Sequence, residues 1–162
     1  SAVFPYYQGG PLEHVIAGKA ICFKEAQSDE FKAYAQHIIE NTALCQETLS
    51  GLGAITSKTD NHLFLLNTLD SYNLTGLEAQ IMLENVGITT NKNMIPNDKL
   101  TPKETSGLRI GFAAITTRGC NKEVAIKIGE LIHKVLSKKI SEEEAKNEVR
   151  SLTKSMKKIE NI

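Results

Sequence analysis

Thr105-Ser-Gly-Leu-Arg-Ile-Gly111, running on into Thr116-Thr-Arg-Gly119, is the stretch around which this chain is organised. Leu108, Ile110 and Phe112 fall at strand spacing, while Gly107 and Gly111 bracket Arg109 on the opposite pleat. An arginine on an otherwise apolar strand needs a partner, and its planar fork of donors suits a carboxylate. That carboxylate is either an internal Asp or Glu, in a structural salt bridge, or belongs to a bound molecule.

The rest of the chain narrows the classes. Its 162 residues are enough for one domain or slightly more with a genuine core. Lys plus Arg number 19 and Asp plus Glu also 19, so no bulk field favours nucleic acid or an anionic membrane. No run approaches a membrane span and no signal peptide opens the chain. Cys22, Cys45 and Cys120 match no zinc or redox spacing. Cys22 and Cys45 fall on helical faces rich in apolar residues and are expected to be reduced core thiols.

Towards the N-terminus, Ser1 to Gly10 reads as an extended segment that then turns. Gln8-Gly9-Gly10-Pro11 places a proline at the first position of a helix. Free backbone N–H groups there either seat an anion such as phosphate or simply start the helix. Leu12, Val15, Ile16 and Phe23 form that helix's expected apolar face. Ser28 is an N-cap, with Asp29 and Glu30 in the first turn. The helix it opens carries Phe31, Ala35, Ile38, Thr42, Cys45 and Leu49 at helical steps and ends at Gly51 and Gly53.

From Ala54 the texture changes. Ala54–Ser57 and His62–Thr68 are strand candidates, separated by an Asx-type turn at Asp60 and Asn61. Thr75 and Glu78 make a capping box for a helix that stops near Gly87. Ile88–Thr90 is expected as a third strand. The polar excursion Asn91–Asp98 is long enough to suggest function. Asn91 and Asn93 either present amides to a heterocycle or close their own turns. Asn121 caps a helix with Val124, Ile128, Leu131 and Val135 on one face. Ser141 with Glu144 opens the last helix, which carries Ala145, Val149, Leu152 and Met156. The expected architecture is α/β: two connector helices, then a small α+β unit of short strands covered by helices.

Several stretches, in this order, resemble one family. Phe4-Pro5, Gln8-Gly-Gly-Pro-Leu-Glu-His-Val-Ile-Ala-Gly-Lys-Ala20, Thr59-Asp-Asn-His-Leu63, Leu74-Thr-Gly76, Val86-Gly-Ile-Thr89, Asn91-Lys-Asn93, Ser106-Gly-Leu-Arg-Ile-Gly111 and Thr116-Thr-Arg-Gly119 look like the C-terminal part of serine hydroxymethyltransferase. The resemblance implies a fold-type I pyridoxal 5'-phosphate transferase of one-carbon metabolism and glycine biosynthesis. Such an enzyme interconverts serine and glycine with tetrahydrofolate as co-substrate, in the cytoplasm, as a homodimer or larger assembly. It also implies a domain division, with residues 1–51 ending the large domain and connecting helices and residues 52–162 forming the small domain. No lysine here matches the family's Schiff-base position, so the chain is expected to be a fragment, inactive without the missing large domain.

Residue by residue, the resemblance gives Arg109 the substrate carboxylate. It gives Gly9 and Gly10 the cofactor phosphate of a neighbouring subunit. Asn93, with Thr101, Pro102 and Lys103, falls to folate. The departures are Lys103-Glu104 in place of Phe-Val, Phe112-Ala113 in place of Thr-Pro, Tyr6-Tyr7 where a glycine is usual, and Lys58 in place of another glycine. Lys103 removes an aromatic wall for the folate ring system. A truncated binding module without catalysis, or a folate-independent pyridoxal-phosphate aldolase relative, are the alternatives. No metal, nucleic acid or membrane partner is expected.

Overall fold

The computed structural model describes residues 1–154, 156 and 157. Two compact units divide the chain, Ser1–Ala35 and Gln36–Ile162.

In the first unit, Ala2–Tyr7 makes one wide helical turn rather than the expected extended arm. Phe4 alone keeps extended angles, the Phe4–Pro5 bond is cis, and Gln8 N–H donates to the Val3 carbonyl at 2.6 Å. Helix α1 spans Glu13–Glu25, starting two residues after the proline predicted to open it. The Leu12 carbonyl accepts from Val15 and Ile16 N–H. None of α1 is buried, and the expected apolar face does not form a core. At 100° per residue Leu12, Val15, Ile16 and Phe23 do fall on one side of the cylinder, with Ile21 opposite, but all of them are exposed. Cys22 is exposed with them, which corrects its assignment as a core thiol. Helix α2 spans Asp29–Gly51, and Ser28 Oγ accepts from Phe31 N–H at 3.1 Å, as the cap predicts.

The second unit is built on a four-stranded antiparallel sheet of order β1-β2-β4-β3, with β1 Ile55–Thr56, β2 Leu63–Asn67, β3 Asn91–Asn93 and β4 Gly107–Gly111. Phe64 and Leu66 on β2, and Leu108 and Ile110 on β4, point inward and are buried with Phe112. Covering helices supply the other side: Cys45 and Leu49 from α2, Leu83 from α4 (Gly76–Asn85), and Leu131, Ile132 and Leu136 from α6 (Lys122–Leu136). Each large apolar side chain so buried contributes about 1.5–3 kcal/mol. Helix α7 (Glu142–Lys154) adds Ala145, and Met156 is buried just beyond it. Two short helices, α3 (Thr68–Tyr72) and α5 (Ala113–Thr117), fill connections in which the sequence shows no helical period.

One strand is displaced from its expected place. Ile88 N–H donates to the Leu83 carbonyl after Gly87 at φ +88, so it completes the end of α4 instead of pairing. Pairing begins at Asn91, opposite Arg109. The outward N–H of the edge residue Lys92 is satisfied by Gln80 Oε1 at 2.8 Å.

Candidate functional site

Arg109 is exposed on β4 between the buried Leu108 and Ile110. Register places Leu65 of β2 on one side of it and Asn91 of β3 on the other. The guanidinium makes no hydrogen bond or ion pair among the described residues, whose four salt bridges lie elsewhere. The internal salt bridge open to it on sequence grounds is therefore not made. Asn93 sits one row further, opposite Gly107, on the same sheet face as Arg109 and Asn91.

Gly107 is demanded by close packing. A Cβ there would lie 2.6 Å from Ile95 Cγ2 and 2.8 Å from the Leu66 carbonyl oxygen. The absence of a side chain lets the loop after β3 settle directly on β4 beside Arg109.

That loop is tightly built. Ile95-Pro96-Asn97-Asp98 is a turn closed by Asp98 N–H donating to the Ile95 carbonyl at 3.1 Å, with Asn97 at φ +59 as a type II turn requires. The Asp98 carboxylate accepts from Ile95 N–H at 3.1 Å, Leu100 N–H at 2.9 Å, Ser106 N–H at 2.9 Å and Ser106 Oγ at 2.6 Å. Partial burial works against its ionisation, but the four hydrogen bonds outweigh that and hold its pKa down to about 2. Lys92 Nζ donates to the Pro102 carbonyl at 2.8 Å. The Thr101 carbonyl accepts from Glu104 and Thr105 N–H, and the Glu104 and Thr105 carbonyls receive Leu77 and Gly76 N–H at the start of α4. Thr101, Pro102 and Lys103 thus form an exposed turn on a fixed base. Asn93 spends one amide donor locally, on the Met94 carbonyl at 2.7 Å.

Gly9 and Gly10 belong to the first unit, and beyond their own chain neighbours nothing lies within 4 Å of where their Cβ atoms would stand. Their N–H groups donate to nothing among the described residues, so they are free to meet an anion.

The second half of the opening motif, Thr116-Thr-Arg-Gly119, is structural in the second unit. Thr116 Oγ1 and the Cys120 carbonyl both accept from the buried Asn41 amide, at 3.1 and 2.9 Å. Arg118 Nε donates to the Lys157 carbonyl at 3.1 Å, and Lys157 N–H returns to the Arg118 carbonyl at 2.9 Å. An apolar cavity of about 320 Å³ opens on the inner side of the sheet, lined by Ile110, Phe112, Ile132 and Leu152 among others. None of the residues predicted for substrate, folate or phosphate lines it. No group of three metal-ligating side chains occurs among the described residues, and no described helix is long and apolar enough to cross a membrane.

Asp98, Lys92, Gln80 and Gly76 escaped the sequence-based assignment of this site. The Pro-Asn-Asp run is the signal that could have found the first, since it encodes a tight turn ending in a short carboxylate. Lys92 and Gly76 lie within motifs quoted for the resemblance but carry no role from it, and nothing local marks Gln80.

The profile of the serine hydroxymethyltransferase family matches residues 1–132. The serine hydroxymethyltransferase of Methanospirillum hungatei is 50% identical over 137 residues, covering 83% of this chain and 33% of the relative. That of Borrelia duttonii is 50% identical over 145 residues, 88% of this chain and 34% of the relative. That of Mycoplasma mobile is 45% identical over 161 residues, 94% of this chain and 38% of the relative. The chain therefore spans about a third of the length of these relatives, as an α/β unit with a four-stranded antiparallel sheet.

Proposed function

This chain belongs to the serine hydroxymethyltransferase family, and on that premise we propose that it is the C-terminal part of a pyridoxal-phosphate enzyme interconverting serine and glycine with tetrahydrofolate as one-carbon acceptor. In this reading residues 1–51 complete a large domain of fold-type I, and residues 52–162 are the small domain. Chemistry then requires the remaining two-thirds of the enzyme, and this chain by itself turns nothing over.

The observation that carries the reading is Arg109, an exposed guanidinium without a carboxylate partner among the described residues, on a rigid strand flanked by two glycines. It binds the substrate carboxylate by its two-pronged donor geometry and so fixes the orientation of the bonds at Cα. Pyridoxal phosphate, when bound, supplies the electron sink. The unengaged N–H groups of Gly9 and Gly10 would hold its phosphate from a neighbouring subunit. Asn93 retains a carbonyl oxygen and one amide hydrogen for the pterin. Thr101, Pro102 and Lys103 border the folate. Val3, Phe4, Leu12, Ile16 and Phe23 are exposed, apolar surface that the large domain or a second subunit would cover in a cytoplasmic homo-oligomer.

The test is Arg109→Ala and Arg109→Lys in the pyridoxal-phosphate-loaded, full-length enzyme. Loss of the charged fork should raise KM for serine about 100-fold or more, with KM for tetrahydrofolate little changed. An unchanged KM for serine would sink the assignment. The exposed charge of Lys103 at the folate border favours one second reading, a folate-independent aldolase. Cleavage of a β-hydroxy amino acid, with no stimulation of serine turnover by tetrahydrofolate, would establish it instead.

A further inference from the structure

We propose that Asp98 is a positioning residue for folate: its carboxylate clasps the two legs of the 94–106 loop and so sets where Asn93 and Thr101–Lys103 stand. The inference rests on the folate role assigned to those residues above.

The clasp is more than a local turn. Oδ1 accepts from Leu100 N–H, two residues on, which an ordinary Asx turn would do. The same oxygen also takes Ser106 Oγ, and Oδ2 bridges Ile95 N–H and Ser106 N–H. Each oxygen therefore joins the outgoing leg of the loop to the residue that precedes β4. Leu100, anchored directly, is followed at once by the Thr101–Lys103 turn, and Met94, which receives the Asn93 amide, precedes the anchored Ile95. The other ionisable groups of the loop behave differently. Lys99, Lys103 and Glu104 are exposed and make no side-chain hydrogen bond or ion pair among the described residues. Only Asp98 is turned inward, against four donors. A loop ordered before ligand arrives has less conformational freedom to lose on binding, and that gain appears in affinity for whatever the loop touches.

Two substitutions test this. Asp98→Asn keeps the shape but replaces one acceptor oxygen by a donor, and Ser106→Ala removes a single bond. In the pyridoxal-phosphate-loaded, full-length enzyme both should raise KM for tetrahydrofolate, Asp98→Asn by about tenfold. KM for serine and the rate of folate-free cleavage of a β-hydroxy amino acid should stay within about twofold. On this chain alone, amide hydrogen exchange at Leu100 and Ser106 should accelerate while Arg109 keeps its protection. Faster exchange with unchanged KM for tetrahydrofolate overturns the proposal. So does a parallel loss of serine and folate affinity, which would make Asp98 general support for β4. Failure of the function itself is distinguishable, because the unsubstituted enzyme would then show no tetrahydrofolate dependence, and the inference would fall with it.

Discussion

Asp98 and Ser106 are joined twice, Oδ2 accepting from the Ser106 N–H at 2.9 Å and Oδ1 from its hydroxyl at 2.6 Å. With Ile95 and Leu100 N–H also on this carboxylate, its pKa is held at about 2 against an ordinary value of 3.8. A depressed carboxylate stabilises the fold above its unfolded pKa and loses that contribution as pH falls through the folded value. Stability should therefore drop between about pH 4 and pH 2, and the drop should be smaller in Asp98→Asn. Urea midpoints measured from pH 2 to 6 for both proteins check this. Parallel curves would show that the clasp contributes nothing.

Gly107→Ala should be strongly destabilising. The added methyl would meet Ile95 Cγ2 at 2.6 Å and the Leu66 carbonyl at 2.8 Å, and the second of these is backbone that cannot rotate away. Overpacking of this kind costs about 1–3 kcal/mol, and the loop on β4 must shift to relieve it. Gly51→Ala, with open space at the same point, is the control. Equal thermal midpoints for the two variants would refute the packing account.

Features whose determinants are local are legible in the amino-acid sequence. Caps are local, so Ser28, Thr75, Asn121 and Ser141 are legible from a few residues and each is found in place. The faces of α2 and α6 are legible because Ile38, Thr42, Cys45 and Leu49, and Leu131 with Val135, meet a core at regular spacing. The exposed placement of Arg109 follows from alternation along β4. The failures concern tertiary partners. Asn91–Asn93 has no strand propensity and is a strand only because β4 offers it a ladder. The exposure of Cys22 depends on what packs against α1, which no helical period in α1 reveals. Asp98 finds Ser106 across eight residues, through a turn whose sequence carries no hydrophobic period.

His133 links α6 to α3. Lys139 Nζ donates to its Nε2 at 3.3 Å, so the ring proton resides on Nδ1 and is given to Tyr72 Oη at 3.2 Å. Burial, and after it the Lys139 charge, lowers the His133 pKa below 6.5. The folded protein thus prefers neutral His133, and stability should fall as pH drops below 6.5 towards the folded pKa. In an NMR titration the His133 midpoint should lie below 6.5, and Lys139→Met should move it up without restoring the ordinary value. A wild-type midpoint at or above 6.5 contradicts the network.

The cysteines should react in a fixed order. Cys22 is exposed, while burial pushes the Cys45 thiol far up and the Cys120 thiol to about 11. Thiolate is the reactive form, so both buried thiols are disfavoured in access and in ionisation. Iodoacetamide at neutral pH should label Cys22 fast, with Cys45 and Cys120 modified only after addition of denaturant, as read by mass spectrometry. Prompt native-state labelling of Cys45 would contradict its burial.

Asn41 should be among the most sensitive positions in the second unit. It is 2% exposed, and its amide donates to both Thr116 Oγ1 and the Cys120 carbonyl, tying α2 to the turn after α5. The two acceptors are not equivalent. A Thr116 hydroxyl that loses Asn41 can rotate towards another partner, whereas the Cys120 carbonyl is fixed by the backbone around Gly119, at φ +95. Asn41→Leu, close in size, should therefore cost about 2–3 kcal/mol, mostly from the stranded carbonyl. Thr116→Val removes only one bond and should cost about 1 kcal/mol. In a double-mutant cycle the combined variant should be less destabilised than the sum, since the shared bond is lost once. Denaturant unfolding of the four proteins decides it. Strict additivity would mean that the Asn41–Thr116 bond is energetically silent, leaving the Cys120 carbonyl as the whole reason for a buried amide on α2.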